Sequence, residues 1–295
     1  MASILDYQDV PIPDSAYSMA RRNMQAPDYE RFLLARLFRI TYESEGLRIK
    51  AYLFIPPKAE SAMPAVVFNA GGTGERGALS DTVAISTLAP FVSRGYVTIA
   101  SQYRGRGGSD GIEEWGDGDV RDVMNMLPLL QGLDYVDRQR IGVVGGSRGG
   151  MMTLMMLAQT TLFRAGVVFG APTTFMHLPA DDYIRTVFER FLPTTHNYIE
   201  EARKRSAVEW ADKLCRTTPL LVQHGTGDRR VSADHALHLG MALQALHFPY
   251  KLIMYDNADH VLAGRRTESN ADMLWWLDTY VRDMAPLPKT GPHGA

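Results

Sequence analysis

Two neighbouring segments in the first fifth of the chain largely alternate apolar and polar positions. They span residues 37–44 and 47–55, and the pair Glu45-Gly46 separates them. Alternation with a period of two is typical of a half-buried strand, and a short glycine-containing link between two such strands indicates a hairpin. The pattern therefore predicts an antiparallel β-hairpin near the start of the fold.

Beyond the hairpin, short apolar runs alternate with longer helical patterns. The predicted strands span residues 65–69, 96–102, 141–145, 165–170, 219–224 and 250–255. The predicted helices span residues 80–94, 118–130, 149–160, 233–246 and 270–284. Strands that alternate with helices build βαβ units with parallel strands. The predicted fold class is α/β, with a mainly parallel central sheet, flanking helices and the antiparallel hairpin at one edge.

Three stretches interrupt this rhythm. Residues 1–36 are expected to form an extended arm followed by one or two helices, and the α/β domain is expected to span residues 37–284. Residues 171–218 are mostly helical in pattern, which predicts a short helical cap insertion, with an ordinary packed helical excursion as the alternative. Residues 285–295 contain proline and glycine without periodicity and are predicted to form a flexible tail.

Composition and charge argue against several classes of protein. The 295 residues are 45% hydrophobic, with 31 basic and 33 acidic side chains and a formal net charge of -2. This balance indicates neither a nucleic-acid partner nor a membrane partner. The start lacks the apolar core of a signal peptide, and the lone Cys215 cannot form an intrachain disulfide. We expect a cytoplasmic protein, and the sequence is compatible with an oligomer.

The most specific chemical pattern is Gly-Gly-Ser-Arg-Gly at residues 145–149. It follows a predicted strand and precedes a predicted helix, which is the context of a G-x-S-x-G nucleophile elbow. Small residues on both sides of Ser147 let the backbone turn tightly, so that the hydroxyl projects into a cleft. The pattern predicts Ser147 as a nucleophile.

A serine nucleophile at neutral pH needs a base, and the base needs an acid to orient it. Asp228 follows the strand at residues 219–224, and His260 follows the strand at residues 250–255, in the order Ser, Asp, His that this architecture uses. Asp259 adjoins the histidine and is a weaker candidate for the acid. His224 is interpreted as a structural hydrogen-bonding residue.

Acyl transfer also needs donors for the oxyanion. The backbone N–H of Arg148 is one candidate, and Gly72 is the first choice for the second, ahead of Gly71. The Arg148 side chain is expected to brace the loop, with attraction of an anionic substrate group as the alternative. No cluster of His, Asp, Glu and Cys has metal-ligand spacing, and no glycine pattern fits a nucleotide, so no metal and no cofactor are expected.

Four glycine-rich segments together resemble the catalytic domain of the prolyl oligopeptidase (S9-like) branch of the α/β hydrolases. They span residues 68–72, 102–108, 145–150 and 224–231, with His260 downstream. The resemblance implies Ser147, Asp228 and His260 as a catalytic triad, and it implies cleavage of a peptide or an ester. Only about 36 residues precede the predicted hydrolase domain, so no β-propeller is expected.

The sequence therefore predicts a serine hydrolase that acts on a small-molecule carboxylic ester or a short peptide. Ester cleavage is the first hypothesis, an S9-like aminopeptidase or acylaminoacyl-type peptidase is the second, and a non-catalytic hydrolase-like binding protein is the third. A thioester or carbon–carbon bond hydrolase stays open, because fold and triad do not define a substrate. Tyr103, Tyr183 and Phe188 are candidates for substrate contact, with a place in the core as the equal alternative for Tyr183 and Phe188.

Overall fold

The fold is α/β, with a mostly parallel sheet and flanking helices, which confirms the predicted fold class. The computed structural model describes residues 4–176, 178–192 and 197–291. Parts of the predicted arm, insertion and tail therefore lie outside the described residues. The chain divides into two compact units, Met1–Glu113 with Gly118–Gly142, and Glu114–Asp117 with Val143–Ala295.

The first unit contains the predicted hairpin and the strands next to it. Its strands are β1 (Ile4–Val10), β2 (Arg36–Ser44), β3 (Leu47–Ile55), β4 (Met63–Asn69), β5 (Val97–Ser101) and the first part of β6 (Val136–Gly146). Their order in the sheet is β1-β2-β3-β5-β4-β6. The neighbours β1 and β2, β2 and β3, and β3 and β5 are antiparallel, whereas β4 and β5 are parallel.

The hairpin forms as its sequence predicts. β2 and β3 pair in register from Arg36 opposite Ile55 to Ser44 opposite Leu47. Glu45 and Gly46 have φ values of 51° and 81°, and positive φ at both positions is what a two-residue hairpin turn with the correct twist requires.

The segment predicted as an extended arm contains β1. Five of its seven residues are exposed, and it pairs with β2 at the edge of the sheet. An edge strand with so little buried surface has no clear alternation, which is why its pattern does not reveal it.

Helices flank the strands of the first unit. They are α1 (Asp14–Asn23), α2 (Ala26–Leu33), α3 (Gly74–Gly77), α4 (Asp81–Ser93) and α5 (Gly118–Gly132). Every residue of β4 and β5 is buried, so these strands are covered on both faces and appear as continuous apolar runs.

The second unit holds the remaining strands in the order β6-β7-β8-β9. β7 (Ala165–Phe169), β8 (Leu220–Gly225) and β9 (Tyr250–Tyr255) are parallel neighbours. The helices are α6 (Arg148–Leu157), α7 (Tyr183–Glu189), α8 (Tyr198–Arg205), α9 (Asp234–Ala245) and α10 (Arg266–Leu277). Because the strands are parallel, the loops after them meet at one edge of the sheet, where ligands bind in open α/β folds.

The segment predicted as a cap insertion has its own aromatic core. Trp115 contacts Phe175, Phe188 and Phe191 with ring centroids 6.1, 5.9 and 6.2 Å away. Phe175 and Phe188 have no exposed surface. These rings are thus packed within their unit, and both the role as a cap and the alternative of a helical excursion stay predictions.

Candidate active site

The predicted nucleophile lies on a strained turn between β6 and α6. Ser147 has φ 53° and ψ -126°, a conformation that non-glycine residues rarely adopt and that is typical of functional turns. A Cβ at Gly146 would lie 2.3 Å from the Phe169 ring, and one at Gly145 would lie 2.2 Å from the Gly149 carbonyl oxygen. Only glycine fits on this side of the turn, which explains the spacing of the motif.

The loops after β8 and β9 are tied to each other by backbone hydrogen bonds. The Thr226 N–H donates to the Tyr255 carbonyl at 2.9 Å, and the Gly227 N–H donates to the Ala258 carbonyl at 3.0 Å. One loop carries the predicted acid and the other carries the predicted base. Residues far apart in sequence therefore meet at the carboxyl ends of adjacent parallel strands.

The structure brings Ser147, His260 and Asp228 into one chain of hydrogen bonds. His260 Nδ1 lies 2.7 Å from Asp228 Oδ2, and His260 Nε2 lies 2.9 Å from Ser147 Oγ. A carboxylate only accepts, so Nδ1 carries the proton and Nε2 is left to accept the serine hydroxyl proton. The Asp228 side chain is fully buried and the His260 side chain is 11% exposed. This arrangement can activate a serine hydroxyl.

The Asp228 carboxylate is saturated with donors. Oδ1 accepts the N–H groups of Arg230 and Val231 at 2.8 and 3.0 Å. Oδ2 faces His260 and also His224, whose Nε2 lies 3.3 Å away. Burial alone would raise the pKa of Asp228, but these hydrogen bonds outweigh it and hold the pKa well below its usual range. The acid is therefore ionised in the neutral range.

The competing acid has another role. Asp259 Oδ1 accepts the N–H groups of Val261 and Ala263 at 3.2 and 2.9 Å, which caps the turn after the histidine loop. The carboxylate on His260 Nδ1 is that of Asp228.

Sequence reasoning does not identify Gly170 as part of the site. It follows β7 with φ 55°, and a Cβ at this position would lie 2.9 Å from the His260 carbonyl oxygen and 3.3 Å from His260 Nδ1. His260 therefore packs directly against the backbone of Gly170, where no side chain would fit. A glycine directly after a buried strand is the only sequence signal for this role.

Arg148 opens α6, so its backbone N–H belongs to the helix N-terminus, where the helix dipole favours negative charge. Its side chain is 1% exposed, and the guanidinium lies 5.7 Å from the centroid of the Trp115 ring. A buried guanidinium against an aromatic ring is consistent with the predicted bracing role.

Gly71 and Gly72 lie in the first unit, on the loop between β4 and α3. Arg106 Nη1 donates to their carbonyl oxygens at 3.3 and 3.2 Å, and the Tyr103 hydroxyl donates to the Ala70 carbonyl at 3.0 Å. The Arg106 side chain is fully buried, and this burial lowers its pKa. The loop that carries the predicted second oxyanion donor is held by specific side chains of its own unit.

The three predicted substrate-contact residues differ in exposure. Tyr183 is 51% exposed, whereas Tyr103 and Phe188 have no exposed surface. The Tyr103 ring supports the Gly71–Gly72 loop and the Phe188 ring fills the aromatic core of the insertion. The structure therefore corrects the prediction for these two side chains, because a fully buried ring has no surface left for a substrate.

The described residues contain neither a metal-binding cluster nor a membrane-spanning helix. In residues 4–176, 178–192 and 197–291, no group of three or more His, Cys, Asp and Glu side chains could hold a metal ion. Among those same residues, no helix combines the length and the apolar character that crossing a membrane requires.

Comparisons with known proteins give two family matches. The model of the prolyl oligopeptidase family matches residues 82–283, a range that contains Ser147, Asp228 and His260. The model of acetyl xylan esterase matches residues 12–118.

Among curated proteins, an uncharacterized peptidase of Bacillus subtilis, YtmA, is 29% identical over 228 residues, which are 76% of this chain and 86% of that protein. The acylamino-acid-releasing enzyme of Mus musculus is 26% identical over 293 residues, covering 92% of this chain and 37% of that protein. A puromycin-hydrolyzing peptidase of Mycobacterium tuberculosis has a similar structure, with a TM-score of 0.71, 25% identity, and coverage of 88% of this chain and 40% of that chain. The chain thus spans most of the first relative and about two fifths of the other two.

Proposed function

The chain is a hydrolase that belongs to the prolyl oligopeptidase family, and from that premise we propose that it is a serine peptidase acting on short peptides. The observation that carries this proposal is the chain of hydrogen bonds from Ser147 through His260 to Asp228, which lies wholly within the matched region. Two of these relatives are named as peptidases, and the third is named as an acylamino-acid-releasing enzyme, so they support the peptidase hypothesis better than the ester cleavage that was the first hypothesis.

In the proposed mechanism, Ser147 Oγ attacks the carbonyl carbon of the scissile bond while His260 Nε2 takes the hydroxyl proton. Asp228 keeps the proton of His260 on Nδ1 and stabilises the imidazolium. Collapse of the tetrahedral intermediate breaks the C–N bond, and His260 returns the proton to the leaving amine. Water, deprotonated by His260, then attacks the acyl-enzyme and releases the acid product and free Ser147.

The developing oxyanion needs two donors. We assign the backbone N–H of Arg148 as the first, because it follows the nucleophile and opens α6. We assign the second to Gly72, with Gly71 as the alternative. In α/β hydrolases this donor comes from the loop between an earlier strand and the helix after it, and both glycines lie between β4 and α3. Hydrogen bonds from Arg106 and Tyr103 to its carbonyl oxygens hold this loop within its own unit.

Peptide substrates can have a free or a blocked amino terminus, and a free one would need a carboxylate to anchor it. Asp182 is already used, because its Oδ1 accepts the N–H groups of Ile184 and Arg185 at the start of α7. Glu113 is also used, because its Oε2 accepts the Gly74 N–H at 2.7 Å. Glu114 and Asp181 are the other two candidates for this anchor. We favour substrates whose amino terminus is blocked over substrates with a free one, because one relative is named as an acylamino-acid-releasing enzyme.

Ester hydrolysis is the second candidate function. The match of the acetyl xylan esterase model to residues 12–118 favours it. An ester is intrinsically easier to cleave than an amide, so the same triad would accept activated esters in either case.

The test compares amide and ester substrates in parallel. Purified protein is assayed with N-acetyl-aminoacyl, aminoacyl and dipeptidyl p-nitroanilides and with p-nitrophenyl esters. We expect measurable kcat/KM on the anilides, highest for the blocked ones, and a loss of at least about a thousandfold in Ser147→Ala. Ser86→Ala, at an exposed serine of α4, is the matched control and is expected to keep full activity. Turnover of esters alone would reject the peptidase proposal in favour of the esterase.

A further inference from the structure

His224 is buried at the end of β8 and faces the carboxylate of the proposed triad. It is 1% exposed, and its Nε2 lies 2.9 Å from the Val231 carbonyl oxygen and 3.3 Å from Asp228 Oδ2. A carbonyl oxygen can only accept, so Nε2 carries a proton, and this proton is shared with the carboxylate. The oxygen that it reaches, Oδ2, is the one that also accepts from His260.

We propose that His224 is a positioning residue of the catalytic site, which fixes the direction of Asp228 Oδ2 and moderates the basicity that Asp228 confers on His260. This inference rests on the proposed function. It assigns the residue a role beyond that of a structural hydrogen-bonding group, because a change at His224 would alter the proton affinity of the general base.

The geometry around the carboxylate supports this role. The Asp228 side chain has no exposed surface, so protein groups alone determine its orientation. Two backbone N–H groups hold Oδ1, whereas two imidazoles hold Oδ2. Without His224, His260 would be the sole side-chain donor on Oδ2. The oxygen would then carry more negative charge, and the imidazolium form of His260 would be more stable.

His224 also closes the loop that carries the acid. The Val231 peptide is held from both sides, because its N–H donates to Asp228 Oδ1 and its carbonyl accepts from His224 Nε2. The imidazole therefore links the end of β8 to the turn that presents Asp228.

Among the described residues, His224 has a titratable neighbour besides the triad. His235, on α9, is the electrostatic neighbour of His224, and His235 is itself faced by Asp182, Asp234 and His238. Burial lowers the pKa of His235 to about 4, so this residue carries no charge in the neutral range. We therefore assign a change of the pH profile near neutrality to the His260–Asp228 pair.

The experiment measures the second-order rate constant of labelling by a fluorophosphonate from about pH 5 to about pH 9, where the acid limb reports the pKa of the base in the free enzyme. This probe needs no knowledge of the substrate. His224→Leu removes the donor, whereas His224→Gln keeps an amide N–H at a similar reach. Rates are expressed per folded molecule.

For His224→Leu we expect the acid limb to move to higher pH by at least about 0.3 units, with a roughly tenfold lower maximal rate, the effect of losing a hydrogen bond to a charged group. His224→Gln should restore the wild-type limb. Should His224→Leu not fold, His224→Asn takes its place, because the shorter amide does not reach Oδ2. An acid limb and rate equal to wild type in the donor-free variant would overturn the proposal, as would a shift to lower pH.

His235→Gln is the control for the loss of a buried imidazole that contacts neither Asp228 nor His260. We expect lower thermal stability and an unchanged acid limb, and a limb that moves as in His224→Leu would overturn the assignment to His224. If the wild-type protein is not labelled, both the proposed function and this inference are rejected. If it is labelled and only the His224 effects are missing, the inference alone fails.

Discussion

Replacing Gly170 by alanine tests whether the contact between Gly170 and His260, which sets the position of His260, controls activity. Gly170 has φ 55°, and an added Cβ would lie 2.9 Å from the His260 carbonyl oxygen. This oxygen belongs to the backbone and cannot rotate away as a flexible side chain could. The Cβ would also lie 3.3 Å from Nδ1, the atom that donates to Asp228. The substitution should therefore push the histidine loop outwards.

The expected magnitude has two parts. A left-handed conformation costs a non-glycine residue roughly 1–2 kcal/mol, which should appear as lost stability. Relief of the contact requires His260 to move by about half an ångström. Since a displacement of about 1 Å can cost roughly a hundredfold in rate, we expect about a tenfold loss of kcat/KM.

Gly95→Ala provides the matched control. Gly95 follows α4 with φ 86°, and a Cβ there would meet nothing within 4 Å. It should lose similar stability in a denaturant melt and keep its kcat/KM on the best p-nitroanilide or ester. Equal activity per folded molecule in Gly170→Ala and Gly95→Ala would contradict this prediction, because it would show that a Cβ at position 170 does not displace His260.

Three other predictions follow from the site and its surroundings. Ser147→Ala should lose at least about a thousandfold in turnover while keeping its melting temperature, and residual activity near wild type would reject the nucleophile. Phe188→Ala should lose roughly 3–5 kcal/mol in a urea melt, because its fully buried ring fills the aromatic core, and a loss below about 1 kcal/mol would show that this core is loose. In the folded protein the pKa of His235 is lowered to about 4, whereas in the unfolded chain it is near 6.5. Between these two pH values, His235 is protonated in the unfolded chain and neutral in the folded protein, so the proton stabilises the unfolded state. Stability should therefore fall by about 2 kcal/mol from about pH 7 to about pH 5, and His235→Gln should lack this part of the fall.

Local patterns suffice for much of the fold. The hairpin and the buried strands have strong periodicity or continuous apolar runs, and the structure places β2, β3 and β9 within one residue of the predicted bounds. β1 is missed because an exposed edge strand has no such pattern. The final helix begins at Arg266, four residues before the prediction, because the polar residues of its first turn carry no apolar signal.

Some residues of the candidate site have a local sequence pattern and others do not. Ser147, Asp228 and His260 are recognisable because each follows a strand within a short motif, and parallel strands bring such loops together. Gly170 and His224 take part through contacts between different strands and loops, which a single sequence does not encode in any local pattern. An aromatic residue such as Phe188 has the same sequence signal whether it lines a cleft or fills a core.

The choice between peptide and ester is of another kind. The serine, histidine and aspartate would have the same geometry in either enzyme, so neither the motif nor the hydrogen bonds decide it. The family match and the peptidase relatives supply the preference, and substrate turnover tests it.

In the proposed mechanism, Ser147 forms the covalent intermediate. The most direct measurement is peptide mapping by mass spectrometry after labelling with a fluorophosphonate, performed on the wild-type protein and on Ser147→Ala. We expect a single adduct on the peptide that contains Ser147 and no adduct in the variant. An adduct on another residue, or equal labelling of Ser147→Ala, would contradict it.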